Sequence, residues 1–285
     1  MNEISLIANA KLNLYLDITG KRSNGYHSLE TVMQSIDLSD VITVSTDSSS
    51  DGINITCSSP LIPVNRKNIC YKAAEAFFAA VEREPRADIH IEKRIPHAAG
   101  LGGGSADAAA VLIGLNTLFE APLSMERLLY IAEKTGADVP FCMTGGVKLC
   151  KGIGEDIHDI EPLPERVYLV VMPDFYCDTR GAYMIYDENP LPRRNGLVKF
   201  LKAGEEFPQR VYNVFKEIYE NDRIDGIVEK LSQLGAEGAN LSGSGSAVFG
   251  IFKDEASAAA AAREFPKYFT AVCKPVDVGI ITIEN

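Results

Sequence analysis

Residues 96 to 112 read PHAAGLGGGSADAAAVL, a glycine-dense turn that runs without a break into an alanine-rich stretch. Gly100, Gly102, Gly103 and Gly104 admit backbone conformations closed to residues with a Cβ, so successive amide N–H groups can turn inward around one anion. From Ser105 to about Phe119 the composition favours helix, whose unpaired N–H groups and positive dipole end would face the same anion. Two readings stand on these residues alone: a tight strand-to-helix connection, and a nest for phosphate. No Lys follows the last glycine, as the P-loop requires, and Gly-Leu-Gly-Gly-Gly-Ser does not fit GxGxxG.

The flanking segments alternate between strand and helix patterns. Lys11 to Thr19 places Leu12, Leu14, Leu16 and Ile18 on one face and Asn13, Tyr15 and Asp17 on the other, the pattern of a half-buried strand. Lys11 opens it, either as a solvated edge charge or as a functional ammonium. Asn24-Gly25 is a turn signal, after which Thr31 to Asp37 resumes a strand. The turn delivers Tyr26 and His27, side chains that can stack on a planar ring and hydrogen-bond its edge, or simply pack. Residues 41–46 and 53–57 alternate around the polar tip TDSSSDG, which predicts a hairpin. Ile69, Ala73, Ala76, Phe77 and Ala80 predict a helix over 68–81, and a strand over 87–93 then enters the glycine turn.

Ser124 has the chemistry of an N-cap for a helix ending near Gly136. In the following GADVPFCMTGG, Asp138 stands between a helix-ending glycine and Pro140, as a turn-former, a cap or a functional carboxylate. Short strands are expected over 147–150 and 156–160, and a buried strand over 167–172 begins a second half. There Thr179 is expected to cap a short helix bearing Tyr183 and Tyr186, followed by a polar, Pro-rich loop over 189–196. Helices over 207–219 and 224–234 precede a second glycine-rich loop, SGSGSA, and a strand over 248–252. A helix over 256–265 and strands within 271–283 complete the chain.

A length of 285 residues suits one large domain or two intimate ones. The net charge of −11 argues against a nucleic-acid partner while leaving room for a local basic pocket. Cys57, Cys70, Cys142, Cys150, Cys177 and Cys273 form no CxxC pair and have no His at metal-ligand spacing, so neither a zinc site nor a disulfide framework is expected. The first residues lack the basic-then-apolar order of a signal peptide, and no apolar run has the length of a membrane span. A reducing cytoplasmic setting fits these features.

An early strand-end lysine, PxxxGLGGGSA and a late SGSGSA, in that order, resemble the GHMP kinases, which phosphorylate small metabolites with ATP. The likeness runs from end to end. Within the family, AKLNLYLDITGKRSNGYHSLET and GADVPF resemble the branch whose alcohol substrate carries a cytidine diphosphate in isoprenoid-precursor synthesis, with Gly25-Tyr26-His27 as its mark. The resemblance implies an α+β fold of two halves, 1–160 and 161–285, with the site in the cleft between them.

It further implies that ATP lies on Pro96, Ala98, Ala99, Gly100, Leu101, Gly102, Gly103, Gly104, Ser105 and Ala106, near Lys93 and Asn68. Lys11 and Asp138 would flank the acceptor hydroxyl, with Asn13 and Thr179 lining the pocket. Tyr26 and Tyr183 would sandwich the cytosine while His27 reads its edge. Tyr183 lies in DFYCDTRGAY, which departs from the family's Pro-x-x-x-x-Ser-Thr-x-x-x-Tyr or Phe, and His97 and Ala99 stand where Met and Gly are common.

Two polyphosphates in an acidic protein call for concentrated cations, for which Lys11, Lys93, Arg22 and Arg94 are candidates, with Mg²⁺ bridging phosphates and no protein metal ligand assigned. In this scheme Asp138 takes the hydroxyl proton while Lys11 keeps it ionised and offsets developing charge. The expected partners are small molecules, with no nucleic acid or membrane, and the chain is expected to be a monomer or homodimer. Rival readings are a GHMP kinase acting on another alcohol, a catalytically silent metabolite-binding regulator, and an RNA-binding module of similar topology. Against these stand, respectively, the Gly-Tyr-His signature, the retained Lys11 and Asp138, and the absence of a basic stripe.

Overall fold

The computed structural model describes residues 2–46, 52–192, 194, 196–219 and 221–283. The tip of the expected 41–57 hairpin and part of the 189–196 loop lie outside them. Alternation around Lys11 extends beyond the expected bounds, since β1 runs Glu3–Lys21. After the Asn24-Gly25 turn, β2 (His27–Ser45) is one continuous strand where two were expected. It pairs antiparallel with β1, and the register jumps from Asn9↔Ser39 to Ala10↔Ile36. A bulge of this kind bends a long strand without ending it.

The hairpin expectation is corrected. β3 (Gly52–Cys57) does not pair with β2; it runs parallel to β4 (Arg86–Glu92), which lies between them. A parallel pair needs a crossover, and α1 (Ile69–Ala80) supplies it. Asn68 caps α1, its Oδ1 accepting from the Cys70 amide at 2.8 Å. Alternation identified both strands but carries no information on which neighbour each takes.

The glycine turn leads into α2 (Gly103–Leu118), whose buried Ala106, Ala108, Ala109 and Ala110 bring it close to the sheet. There it shares a core with Ile4, Leu6, Ile42, Val44, Phe77 and Phe78. α3 (Met125–Thr135) begins at its Ser124 cap and stops at Gly136, as expected. α4 (Val139–Thr144) was not foreseen, because six residues are too few to show a helical period. β5 (Val147–Gly152) and β6 (Asp156–Asp159) then extend the sheet from β2.

In the second half, β7 (Val167–Met172) is followed by α5 (Thr179–Glu188) and α6 (Leu197–Leu201). The cap of α5 is Asp178, which accepts from the Arg180 amide at 3.0 Å, and Thr179 is the first helical residue rather than the cap. The helix expected over 207–219 is broken into a 3₁₀ turn (Gly204–Arg210) containing Pro208, strand β8 (Tyr212–Asn213) and helix α7 (Val214–Ile218). Proline removes one ladder hydrogen bond, and pairing of Tyr212 and Asn213 with β1 takes up the backbone instead.

Next come α8 (Asp222–Gln233), β9 (Gly238–Leu241), β10 (Val248–Phe252), α9 (Glu255–Ala262), β11 (Phe269–Cys273) and β12 (Ile280–Ile283). A four-stranded sheet runs β11-β7-β10-β9; the other sheet has eight strands, with the path β12-β1-β2-β4-β3, β5 on β2, β6 on β5 and β8 on β1. The mixed α+β architecture is the one expected. Residues 161–285 nonetheless return β8 and β12 to the sheet of residues 1–160. One consequence reaches the site: β1 is buried on both faces from Asn9 to Ile18, not half-buried, because Leu12, Tyr15 and Leu16 belong to a core shared with Val170, Phe200 and Phe249. Lys11, only 3% exposed, is therefore no edge charge.

Candidate active site

The glycine turn holds its shape by turning carbonyls into the protein. The Gly100 carbonyl accepts from Lys11 Nζ and from Ser242 Oγ, each at 3.0 Å. The Leu101 carbonyl accepts from the Lys11 amide and the Gly102 carbonyl from the Ala106 amide, both at 2.9 Å. The first amides of α2, ahead of the Ala106-to-Gly102 bond, have no helical carbonyl before them to bond and form an anion-binding end. Gly100 and Gly102 have φ of +77° and +72°. A Cβ at Gly100 would overlap the Ser242 carbonyl oxygen, and one at Gly102 would lie 2.8 Å from Lys11 Cγ. The second glycine loop thus clasps the first, with the Ala247 amide donating to the Ala99 carbonyl at 3.0 Å.

Beside the turn, Lys11 Nζ lies 3.4 Å from Asp138 Oδ2 and donates to Asn13 Oδ1 at 2.6 Å. Asn13 Nδ2 in turn donates to Thr31 Oγ1 at 2.9 Å. Lys11 is buried, whereas the Asp138 side chain keeps 32% exposure, so the carboxylate is the member of the pair open to an incoming group. Asp138 heads α4 without using its side chain as a cap. A pocket of about 360 Å³ contains both charges together with Asn13, Ser105, Thr179 and Tyr183.

A second pocket, of about 350 Å³, is formed by Pro96 and the turn from Ala98 to Ser105, with Lys67, Asn68, Lys93 and Asp107. Its cation supply differs from expectation. Lys93 Nζ is bound to Asp40 and, at 2.9 Å, to Asp107 Oδ2, and all three side chains are buried. Burial disfavours its ammonium but is outweighed by Asp107 and Asp40, so Lys93 is held above its ordinary value; burial likewise pushes the Asp107 carboxyl well up. Asp40 also accepts from the Arg94 and Ile95 amides at 2.6 and 2.8 Å. Lys93 is therefore a cross-link between β2, the end of β4 and α2, not a free counter-charge. Arg22 is likewise diverted, its guanidinium 3.4 Å from Glu155. Asn68 spends its side chain on Cys70 and on the Pro63 carbonyl. Lys67, which sequence reasoning passed over, is an exposed cation on the pocket wall.

A third pocket, of about 560 Å³, brings together Tyr26, His27, Thr179, Arg180, Tyr183 and Asp187. Tyr26 is 62% exposed and available to stack. The His27 ring lies on Tyr183 at 4.9 Å with an interplanar angle of 18°, and its Nε2 is 2.8 Å from Asp187 Oδ1. Thr179 Oγ1 pairs with Ser244 Oγ at 2.7 Å. Ser242, Ser244, Asp40, Asp107 and Asp187 were missed, and for the serines the late glycine loop was the available signal.

Comparison with known proteins follows the same lines. Residues 68–146 match the model of the GHMP kinases N terminal domain, and residues 216–271 that of the GHMP kinases C terminal domain. The chain is 39% identical over 284 residues to a 4-diphosphocytidyl-2-C-methyl-D-erythritol kinase of Clostridium acetobutylicum, covering 96% of this chain and 98% of that protein. The chain belongs to the GHMP kinase family. A protein of the same name from Syntrophomonas wolfei is 40% identical over 94% of this GHMP kinase and 96% of its own length. A crystal structure of 4-(cytidine 5'-diphospho)-2C-methyl-D-erythritol kinase superposes with a TM-score of 0.80 at 29% identity, covering 95% of this chain and 99% of that one. A homoserine kinase from Cytophaga hutchinsonii, at 18% identity and a TM-score of 0.78 over 99% and 98% of the two chains, shares the fold. As a GHMP kinase, the chain is an enzyme that uses ATP as co-substrate to phosphorylate a small molecule.

Proposed function

We propose that this kinase transfers the γ-phosphoryl group of ATP to the 2-hydroxyl of 4-diphosphocytidyl-2-C-methyl-D-erythritol, a step of the non-mevalonate isoprenoid route. One observation carries this: the Lys11–Asp138 pocket adjoins both of the others and lies between them in the succession of shared walls. The glycine-turn pocket shares Ala98, Gly100, Gly102 and Ser105 with the Lys11–Asp138 pocket, which shares Leu29, Ala137, Ile153, Thr179 and Tyr183 with the Tyr26–His27 pocket. A triphosphate at one end and a nucleoside handle at the other would bring the acceptor hydroxyl to the central pair.

In this reading the turn from Ala98 to Ser105 grips the phosphates through main-chain amides, and Tyr26 stacks on the cytosine. The acceptor oxygen bonds to the γ-phosphorus as the bond to the ADP oxygen breaks, and Asp138 takes the hydroxyl proton. Lys11, held by Asn13 and Gly100, offsets the charge gathering around the acceptor oxygen. Mg²⁺ fits beside the phosphates, since Ser105 at the start of α2 offers a hydroxyl to both the glycine-turn and central pockets, and magnesium takes few protein ligands beside phosphates and water. Bound with ATP, it would supply neutralisation of phosphate charge.

The six free cysteines suit a reducing cytoplasm, and the enzyme is expected to work there as a monomer or homodimer. The test is an ATP-coupled assay of the purified chain on alcohols with and without the cytidine diphosphate handle. Activity that requires the handle is expected; equal turnover of mevalonate, homoserine or a sugar would refute the reading.

A further inference from the structure

A histidine on the cytosine edge needs a reason to choose cytosine over uracil. The two bases differ at ring N3, which accepts in cytosine and donates in uracil, and at the 4-position, an amine that donates in cytosine and a carbonyl oxygen that accepts in uracil; an imidazole nitrogen set against the 4-position tells them apart by whether it accepts or donates. A neutral imidazole can present either a lone pair or an N–H, depending on its tautomer. Selectivity therefore needs something that fixes the tautomer.

Asp187, in the last turn of α5, holds the Nε2 corner of the imidazole at the rim of the same pocket. Its Oδ1 is 2.8 Å from His27 Nε2 and its Oδ2 is 2.5 Å from Lys21 Nζ, at the end of β1. Hydrogen bonds from Lys21 and then His27 hold this carboxyl below its ordinary range, so it is ionised and can only accept. Nε2 must therefore carry the hydrogen. The imidazole is 6% exposed and lies against Tyr183, which limits water as a competing partner and restrains the ring from turning over. Among the described residues Nδ1 has no hydrogen-bond partner, and in the neutral ring it is then an acceptor. His27, Asp187, Tyr26 and Tyr183 all border the same pocket.

We propose that Asp187, anchored by Lys21, is the positioning residue that sets the base specificity of this enzyme by holding His27 in its Nε2–H tautomer. This inference rests on the cytidine-pocket reading and adds to it the reason the handle must be an aminopyrimidine. It makes a specific claim about Asp187→Asn. Lys21 offers only hydrogens and retains the side-chain oxygen, so the amide group is turned to His27 and donates to Nε2. The hydrogen then moves to Nδ1, and the edge that accepted from an amine now donates to a carbonyl.

The test combines two readouts. In ¹⁵N NMR of the uniformly labelled wild-type enzyme at neutral pH, with His27→Gln used to assign its signal among the four histidines, His27 is expected as the neutral Nε2–H form; an Nδ1–H form or an imidazolium would overturn the proposal without any variant having to fold. In parallel, kcat/KM is measured for the cytidine-linked alcohol and its uridine-linked analogue. Exchanging a matched for a mismatched hydrogen bond is expected to cut the cytidine preference of Asp187→Asn by about tenfold or more. A wild-type enzyme indifferent to the base overturns the pocket reading and this inference together. A wild-type preference that survives intact in folded Asp187→Asn leaves the pocket standing and overturns the role of Asp187.

Discussion

Lys11 donates to Asn13 Oδ1 and the Gly100 carbonyl, and its ammonium lies 3.4 Å from the Asp138 carboxylate as an ion pair. Both acceptors are neutral and only one carboxylate stands beside Lys11, whereas Lys93 lies between two. The contrast separates two lysines that were both candidates for a counter-charge to the polyphosphates. Lys11 faces the acceptor pocket with charge to spare, while Lys93, between Asp40 and Asp107, has none. Tyr26 is the complementary case, an aromatic ring left largely in solvent beside a pocket that otherwise hides its rings. Replacing it with alanine is expected to weaken calorimetric binding of the cytidine-linked substrate by about 1–3 kcal/mol, the usual worth of a base–aromatic stack. Equal affinity would put the base elsewhere.

At the scale of elements, the site is a clasp between two glycine loops that are far apart in sequence. Gly100→Ala drives a Cβ into the Ser242 carbonyl and strains a backbone at φ +77°. It is expected to cost more than about 1 kcal/mol in urea unfolding and to weaken ATP binding. An unchanged midpoint with unchanged ATP affinity would mean that the loops need not touch.

Elements with local signals were legible in the sequence: Asn68 and Ser124 cap where their chemistry says, Gly136 ends α3, and the alanine face of α2 packs on the sheet. Features made by distant segments were not. The Asp40–Lys93–Asp107 cross-link joins three elements, so none of its members is marked by its neighbours. The β3–β4 pairing depends on a crossover that strand alternation does not encode. The second glycine loop could be seen, but not which serines would turn toward Gly100 and Thr179.

Across the whole molecule, β1 is the common member, pairing with β2, β8 and β12 and carrying Lys11 and Asn13 into the cleft. Much of the chain's polar-hydrogen chemistry is buried with it. Burial pushes the Cys150 and Cys273 thiols and the Tyr15 phenol up to about 12. For groups raised on folding, the stabilisation is complete below the unfolded values, about 8.5 for cysteine and about 10 for tyrosine, and is lost as pH climbs toward the folded ones. Unfolding midpoints should therefore fall steadily between about pH 9 and 12. A flat profile over that range would show these groups to be solvated.

Phosphoryl transfer here turns on the division of labour between Lys11 and Asp138, which is tested most directly by the turnover of Asp138→Asn with ATP and the cytidine-linked alcohol both saturating, read beside their binding affinities. General-base loss predicts a fall of roughly two to four orders of magnitude in kcat, with little change in substrate affinity. A variant that turns over at the wild-type rate would contradict it.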